Sequence, residues 1–194
     1  MISVESAAAT QTEMQRVSAE GWLSGGEQIH SPNFDNRPQG EEISLLVLHG
    51  ISLPEGVFGT PFIDQLFTNQ LQGDESPSFE PLKGLRVSTH LLIRRGGELV
   101  QYVSLNERAW HAGVSSFEGR TRCNDFSIGI ELEGRDETPY SEAQYQQLRG
   151  VIPLLHKHYP AITQQRIVAH SDIAPGRKTD PGPAFEWQRI AQLV

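Results

Sequence analysis

The segment Ile43 to His49 (ISLLVLH) is a short apolar run stopped by Gly50. Its length suits a strand, and the lack of a polar alternate face means a strand buried on both sides. Such a strand sits in a sheet covered above and below, which points to mixed α and β structure. Phe126 to Leu132 (FSIGIEL) reads as a second strand, and Ile167 to His170 as a further short one. Val87 to Arg94 and Leu99 to Val103 flank Gly96-Gly97 and read as a hairpin.

Helix signals lie between these strands. Thr60-Pro61 forms an N-cap and first position ahead of Phe62, Ile63, Leu66 and Phe67. Ser141 with Gln144 forms a capping box, followed by an apolar stripe of Tyr145, Leu148, Ile152, Leu155 and Tyr159. Pro153 falls inside that helix, where a bend is expected. A last helix is expected from about Pro183, burying Phe185 or Trp187 with Ile190. The stretches 69–85 and 105–125 are long and irregular, and loops of that length usually carry function or disorder.

A chain of 194 residues that is 37% hydrophobic has the size and composition of one soluble domain. The Ala/Ser/Thr/Gln-rich start reads as a flexible arm over 1–20, leaving a single folded domain over 21–194. No basic segment or continuous apolar run opens the chain, and Glu5 and Glu13 interrupt any secretory pattern. No apolar run reaches the roughly 20 residues that span a bilayer. The expectation is a cytoplasmic, monomeric protein without a membrane partner. The net charge of -8 argues against nucleic acid. A single cysteine, Cys123, excludes an internal disulfide and a thiolate zinc finger, so metal chemistry must draw on the seven histidines and on carboxylates.

His49 and His170 each close an expected strand, where rigid elements present side chains into a crevice. Asp180 follows ten residues beyond His170 in a segment crowded with Pro and Gly. Two imidazoles and a carboxylate suit Zn²⁺ and leave a fourth position for water. Spacing alone leaves Asp172 open as the oxygen ligand, and a histidine at a strand end is more often structural than ligating. Periodicity likewise leaves Glu131 and Glu133 on the same strand face.

The ordered motifs VLHGIS, WHAG, CNDFSIGIELEG and HSDIAPGRKTDPGP resemble those of the zinc-dependent N-acetylmuramoyl-L-alanine amidases, the type 2 amidases. This family shares a fold with peptidoglycan recognition proteins and phage amidase lysozymes. The likeness runs from about Trp22 to Val194. It is greatest to the cytoplasmic branch from Gram-negative bacteria that acts on 1,6-anhydro-N-acetylmuramyl-L-alanine. The resemblance implies an α/β domain with a central mixed β-sheet flanked by α-helices. It implies one Zn²⁺ held by His49, His170 and Asp180, with Glu131 as the catalytic acidic residue and Lys178 as the characteristic lysine.

It also implies an anhydro-muropeptide substrate, met by Arg86 and Arg122 at its carboxylates and by Trp110 and His111 in a groove. The implied reaction is hydrolysis of the amide between anhydro-N-acetylmuramic acid and L-alanine during cell-wall recycling, and loss of such an enzyme can raise β-lactamase expression. One position departs from the pattern: Gly50 stands where these relatives carry Asn, and it offers no side chain to substrate. Two other readings are a non-catalytic peptidoglycan-recognition module and a phage-type or secreted amidase acting on intact wall. Of the other histidines, His90 reads as core or as support for the site, while His30, His156 and His158 read as surface or capping residues.

Overall fold

The apolar run around Val47 takes the centre of a mixed sheet. The computed structural model describes residues 16–194. Its main strands are β1 (Glu27–Gln28), β2 (Leu45–Ile51), β3 (Leu91–Ile93), β4 (Leu99–Gln101), β5 (Ser127–Glu133) and β6 (Ile167–Ala169), arranged in the order β1-β4-β3-β5-β2-β6. β6, β2, β5 and β3 run parallel, and β4 returns antiparallel to β3. The register between β2 and β5 pairs Val47 with Gly129 and His49 with Glu131.

Strand alternation divides the interior. Leu46, Leu48, Ile128, Ile130 and Leu132 face helix α2 (Glu142–His158) and pack with its Tyr145, Leu148, Val151, Ile152 and Leu155. Each fully buried side chain of this size contributes roughly 1.5–3 kcal/mol. The Ser141 and Gln144 capping box forms as expected, and α2 continues through Pro153. On the opposite face Leu45 and Val47 pack with Phe126, Val168 and Ile173. Leu92 and Val100 on that face pack with Ile63, Leu66 and Phe67 of the short helix α1 (Phe62–Phe67). Between these apolar patches lies the second face of β5, which carries Ser127, Gly129, Glu131 and Glu133.

Several elements differ from the sequence reading. The hairpin pairs only Leu91–Ile93 with Leu99–Gln101. The preceding residues leave the ladder: the Ser88 amide donates to Trp110 O at 3.1 Å, and Thr89 Oγ1 donates to Gly129 O at 3.0 Å. Thr60 donates its hydroxyl to Leu53 O rather than capping the helix that follows. The expected last helix is a single 3₁₀ turn, Trp187–Ile190; Phe185 and Ile190 are buried, while Trp187 is exposed. His170 does not end β6 but begins a one-turn helix, His170–Ile173. The arm expected over 1–20 lies outside the described residues as far as residue 15. Residues 16–20 form an ordered turn in which Val17 bridges Leu23 and Ser104 Oγ donates to Glu20 O.

Candidate active site

The parallel strands deliver their carboxyl ends to one edge of the sheet, and the side chains there converge. His49 stands near the end of β2, and His170 stands immediately after β6. Asp180 comes back to them from the Pro/Gly-rich segment, where its carbonyl accepts from the Ser171 amide at 3.1 Å. His49 Nδ1 lies 2.9 Å from His170 Nδ1 and 3.2 Å from Asp180 Oδ2, and His170 Nδ1 lies 3.0 Å from the same oxygen. Asp172, the alternative left open by spacing, is turned away. Its Oδ2 accepts from the Ala169 amide at 2.8 Å and caps the His170–Ile173 turn.

Three acceptor-capable atoms facing one another at such distances need a shared proton or a cation. Burial pushes the His49 imidazole down to about 4, against the opposing pull of Asp180, so it is neutral at pH 7. Burial alone would raise the Asp180 carboxyl, but hydrogen bonds with His170 and His49 outweigh it and hold the group well below the usual carboxylate range. A neutral His49 imidazole beside an ionised Asp180 carboxylate has the protonation states that metal ligands take. A tetrahedral zinc at about 2.0–2.1 Å from nitrogen and oxygen separates its ligand atoms by roughly 3.3 Å, close to the triangle seen here. Among the described residues, these three form a group that could hold a metal ion.

The far sides of both rings are also engaged. His49 Nε2 lies 2.9 Å from His111 Nδ1, and His111 Nε2 lies 3.2 Å from Ser127 Oγ. His170 Nε2 lies 3.2 Å from Ala112 O. His111 therefore points inward at His49, with both of its nitrogens engaged inside the protein. Gly129 makes this possible, since a Cβ there would come within 2.6 Å of the His111 ring.

Glu131 lies in register with His49 and is buried. Its Oε2 has no hydrogen-bond partner among the described residues. Burial, and then the negative charge of Asp180, push its carboxyl well above the usual range, while Lys178 pulls the other way. Glu133, two residues on, is different. It accepts from the Gly59 amide at 2.6 Å and from the Arg95 amide at 3.1 Å, and so ties two loops to the strand. The two carboxylates that periodicity could not separate are thus an unpartnered acid beside the histidines and a satisfied anchor.

A groove of about 590 Å³ opens over Asp180 and is lined by Gly50, Ser52, Arg135, Arg177 and Lys178 among others. Beside Gly50, Tyr140 donates its hydroxyl to Pro181 O at 2.9 Å and occupies the space into which a Cβ would project. Lys178 is exposed on the groove wall. The other expected binding residues do not line this groove. Trp110 donates Nε1 to Asp35 Oδ1 at 3.1 Å. Arg122 is 69% exposed and pairs with Asp125 at 3.2 Å; Asp125 also pairs with Arg108. Arg86 borders a separate hollow of about 200 Å³ with Leu66, Asn69 and Leu85.

Arg177 was not singled out from sequence. Its guanidinium donates to Ala112 O at 2.6 Å and to Val114 O at 2.8 Å, which fastens the 110–115 loop beside the histidines. The available signal was its place between His170 and Asp180. No helix among the described residues is long and apolar enough to cross a membrane.

Similarity to known proteins agrees with this geometry. A family profile described as N-acetylmuramoyl-L-alanine amidase matches residues 39–183. The chain is 56% identical over 175 residues to the 1,6-anhydro-N-acetylmuramyl-L-alanine amidase AmpD of Escherichia coli strain K12, covering 90% of this chain and 95% of the relative. A crystal structure of a selenomethionine derivative of AmpD superposes with a TM-score of 0.87 at 56% identity, covering 90% of this chain and 97% of that one. The Escherichia coli amidase AmiD, solved with anhydro-N-acetylmuramic acid-L-Ala-D-γ-Glu-L-Lys, superposes with a TM-score of 0.58 at 34% identity, covering 81% of this chain and 60% of that one. With relatives that share over half their residues and align almost end to end, the chain belongs to the N-acetylmuramoyl-L-alanine amidase family.

Proposed function

We propose that the protein hydrolyses the amide between the lactyl group of 1,6-anhydro-N-acetylmuramic acid and L-alanine in muropeptides released during peptidoglycan recycling. One observation carries this reading. The unpartnered Glu131 carboxyl stands beside two imidazoles and a carboxylate whose acceptor atoms converge on one point. The names of the relatives supply the substrate class. The compartment proposed with it is the cytoplasm, and the working state a monomer.

His49, His170 and Asp180 are the residues that would hold one Zn²⁺. When bound, the ion polarises the amide carbonyl and lowers the pKa of water towards about 7. The chain's own groups do the remaining work. Glu131 takes a proton from the attacking water and returns it to the leaving alanine nitrogen, a role suited to a carboxyl that burial makes more basic than usual. The Lys178 ammonium, on the groove wall above Asp180, meets the negative charge that develops on the carbonyl oxygen. Arg122 and Arg86 are proposed to anchor the carboxylates of the peptide and Trp110 to stack on substrate, guanidinium being suited to bidentate capture. His111 enters the site through its contact with His49.

The test incubates the pure protein, with and without chelator, with anhydro-muropeptide and with intact murein. Chelator-sensitive release of the peptide from anhydro-muropeptide is expected. Cleavage that survives complete metal removal would overturn the zinc assignment. Preference for intact murein would make the protein a wall-acting amidase, and binding without cleavage a recognition module.

A further inference from the structure

Both imidazoles expected to ligate the metal are oriented by one dipeptide, His111-Ala112. The side chain of the first residue meets His49 Nε2 at 2.9 Å, and the backbone carbonyl of the second meets His170 Nε2 at 3.2 Å. For His49 and His170 to present lone pairs at Nδ1, each must carry its proton on Nε2 and donate it outward. The donor from His49 then enters His111 Nδ1, and His111 passes its own Nε2–H to Ser127 Oγ at 3.2 Å. Ala112 O takes the donor from His170. The position of this dipeptide therefore fixes the tautomer and aim of both ligands.

Arg177 holds the dipeptide from its carbonyl side, at Ala112 O, and one side-chain oxygen holds both of its amides. Asn124 Oδ1 accepts from the His111 amide at 3.2 Å and from the Ala112 amide at 2.8 Å. Two backbone donors on one atom also fix which end of the carboxamide is oxygen. Asn124 lies in the 3₁₀ turn Cys123–Asp125 that leads into β5. That turn is itself anchored by the half-buried Arg37, whose Nη1 donates to Asn124 O at 3.1 Å and to Asp125 O at 3.0 Å.

We infer that Asn124 is a positioning residue for the metal centre, acting through the His111-Ala112 backbone to hold the two ligating imidazoles in their metal-binding tautomers. This rests on the metal reading of the site given above. Asn124 touches neither ligand, so its effect should appear in metal affinity and ligand geometry rather than in the chemical step. Groups that orient ligating histidines typically contribute about 10–100-fold in affinity.

The experiment measures zinc affinity by chelator competition and the visible absorption of the cobalt(II) form, for wild type, Asn124→Ala and Asn124→Asp. Asn124→Ala is expected to bind zinc about 10–100-fold more weakly, with a shifted cobalt spectrum. Asn124→Asp keeps an acceptor oxygen in place and is expected to restore both affinity and spectrum. Through space its added negative charge favours a cation, so direct electrostatics do not account for a loss of affinity in it.

Wild-type affinity in Asn124→Ala, or an equal loss in Asn124→Asp, would overturn the inference. If Asn124→Ala does not unfold cooperatively, Asn124→Ser takes its place, since its oxygen is one bond too short to reach both amides. The same loss is expected for it, and wild-type affinity would be equally fatal. Wild type that takes up no zinc, or Asp180→Ala that takes it up normally, would instead sink the metal reading itself.

Discussion

His49 and Glu131 are register partners on adjacent parallel strands, so one strand pairing sets an imidazole of the triad beside a buried acid. Strand register is rigid: a slip of one residue would send Glu131 to the face packed under α2. The spacing between the candidate ligand and the candidate acid is thus set by the two central strands of the sheet and not by a loop.

Glu131→Gln should separate chemistry from metal binding. The substitution keeps the size of a group that makes no hydrogen bond through Oε2, so zinc stoichiometry should stay at wild type. Turnover should fall by about 10²–10⁴-fold. The metal-free protein carries a second sign. A carboxyl raised by burial binds more protons folded than unfolded, so its contribution to stability is greatest below the ordinary carboxylate value and is lost as pH rises. Glu131→Gln should remove that loss, and denaturant titrations of the apo forms at pH 4 and 7 would show it. Full activity in the variant would exclude Glu131 as the acid.

Asp180 and Asp172, eight residues apart, should fail in different ways. Asp180→Ala should abolish both zinc uptake and the stabilisation that zinc confers, which reaches about 4 kcal/mol at a thousandfold excess over Kd. Asp172→Ala removes only the cap on the Ala169 amide and should cost about 1 kcal/mol while zinc binding stays intact. Thermal unfolding with and without zinc distinguishes the two. Normal zinc binding in Asp180→Ala with loss in Asp172→Ala would reverse the assignment.

Arg122 sits in a left-handed backbone conformation, φ 61° and ψ 56°, that favours glycine. That conformation costs a non-glycine residue roughly 1–2 kcal/mol, whereas an exposed ion pair such as Arg122 with Asp125 contributes about 0–1 kcal/mol. Arg122→Gly should therefore be as stable as wild type or slightly more so. If the guanidinium binds a substrate carboxylate, KM should rise with kcat nearly unchanged. Unchanged KM in a fully stable Arg122→Gly would remove Arg122 from the binding residues.

The strands of the sheet centre were legible because burial on both faces leaves an apolar run and because β5 alternates with period two. Helix α2 was legible from its capping box and stripe. The tail was not: Phe185 and Ile190 carry an apolar signal, but Pro181 and Pro183 crowd its start and the backbone makes only one 3₁₀ turn. Periodicity could not tell Glu131 from Glu133, since alternation puts both on one face. Only the amides of Gly59 and Arg95, far away in sequence, satisfy the second and leave the first unpartnered. Asn124, Arg37 and Arg177 escaped for the same reason. Their effect lies in hydrogen bonds to backbone atoms of distant loops, which leave no pattern of spacing.

His90 supplies the clearest acid sensitivity. It is fully buried, its Nδ1 accepts from the Gly129 amide at 3.0 Å, and Arg37 Nη2 lies 3.1 Å from its Nε2. Burial, and then the Arg37 charge, push the imidazole down to about 3. A histidine depressed in the folded state contributes stability that is fully present above the unfolded value of about 6.5 and is lost as pH falls towards the folded one. The slope grows from half its limit at pH 6.5 towards about 1.36 kcal/mol per unit, so this group alone should cost the protein about 1.6 kcal/mol between pH 6.5 and 5. His49 and His111 are depressed by the same burial and add to the slope in the metal-free form. His90→Asn keeps an acceptor for the Gly129 amide but cannot take up the proton, so it should flatten the slope by about one proton. Urea titrations of the apo proteins across this range measure it directly. An identical slope in His90→Asn would mean that His90 is not held neutral by its surroundings.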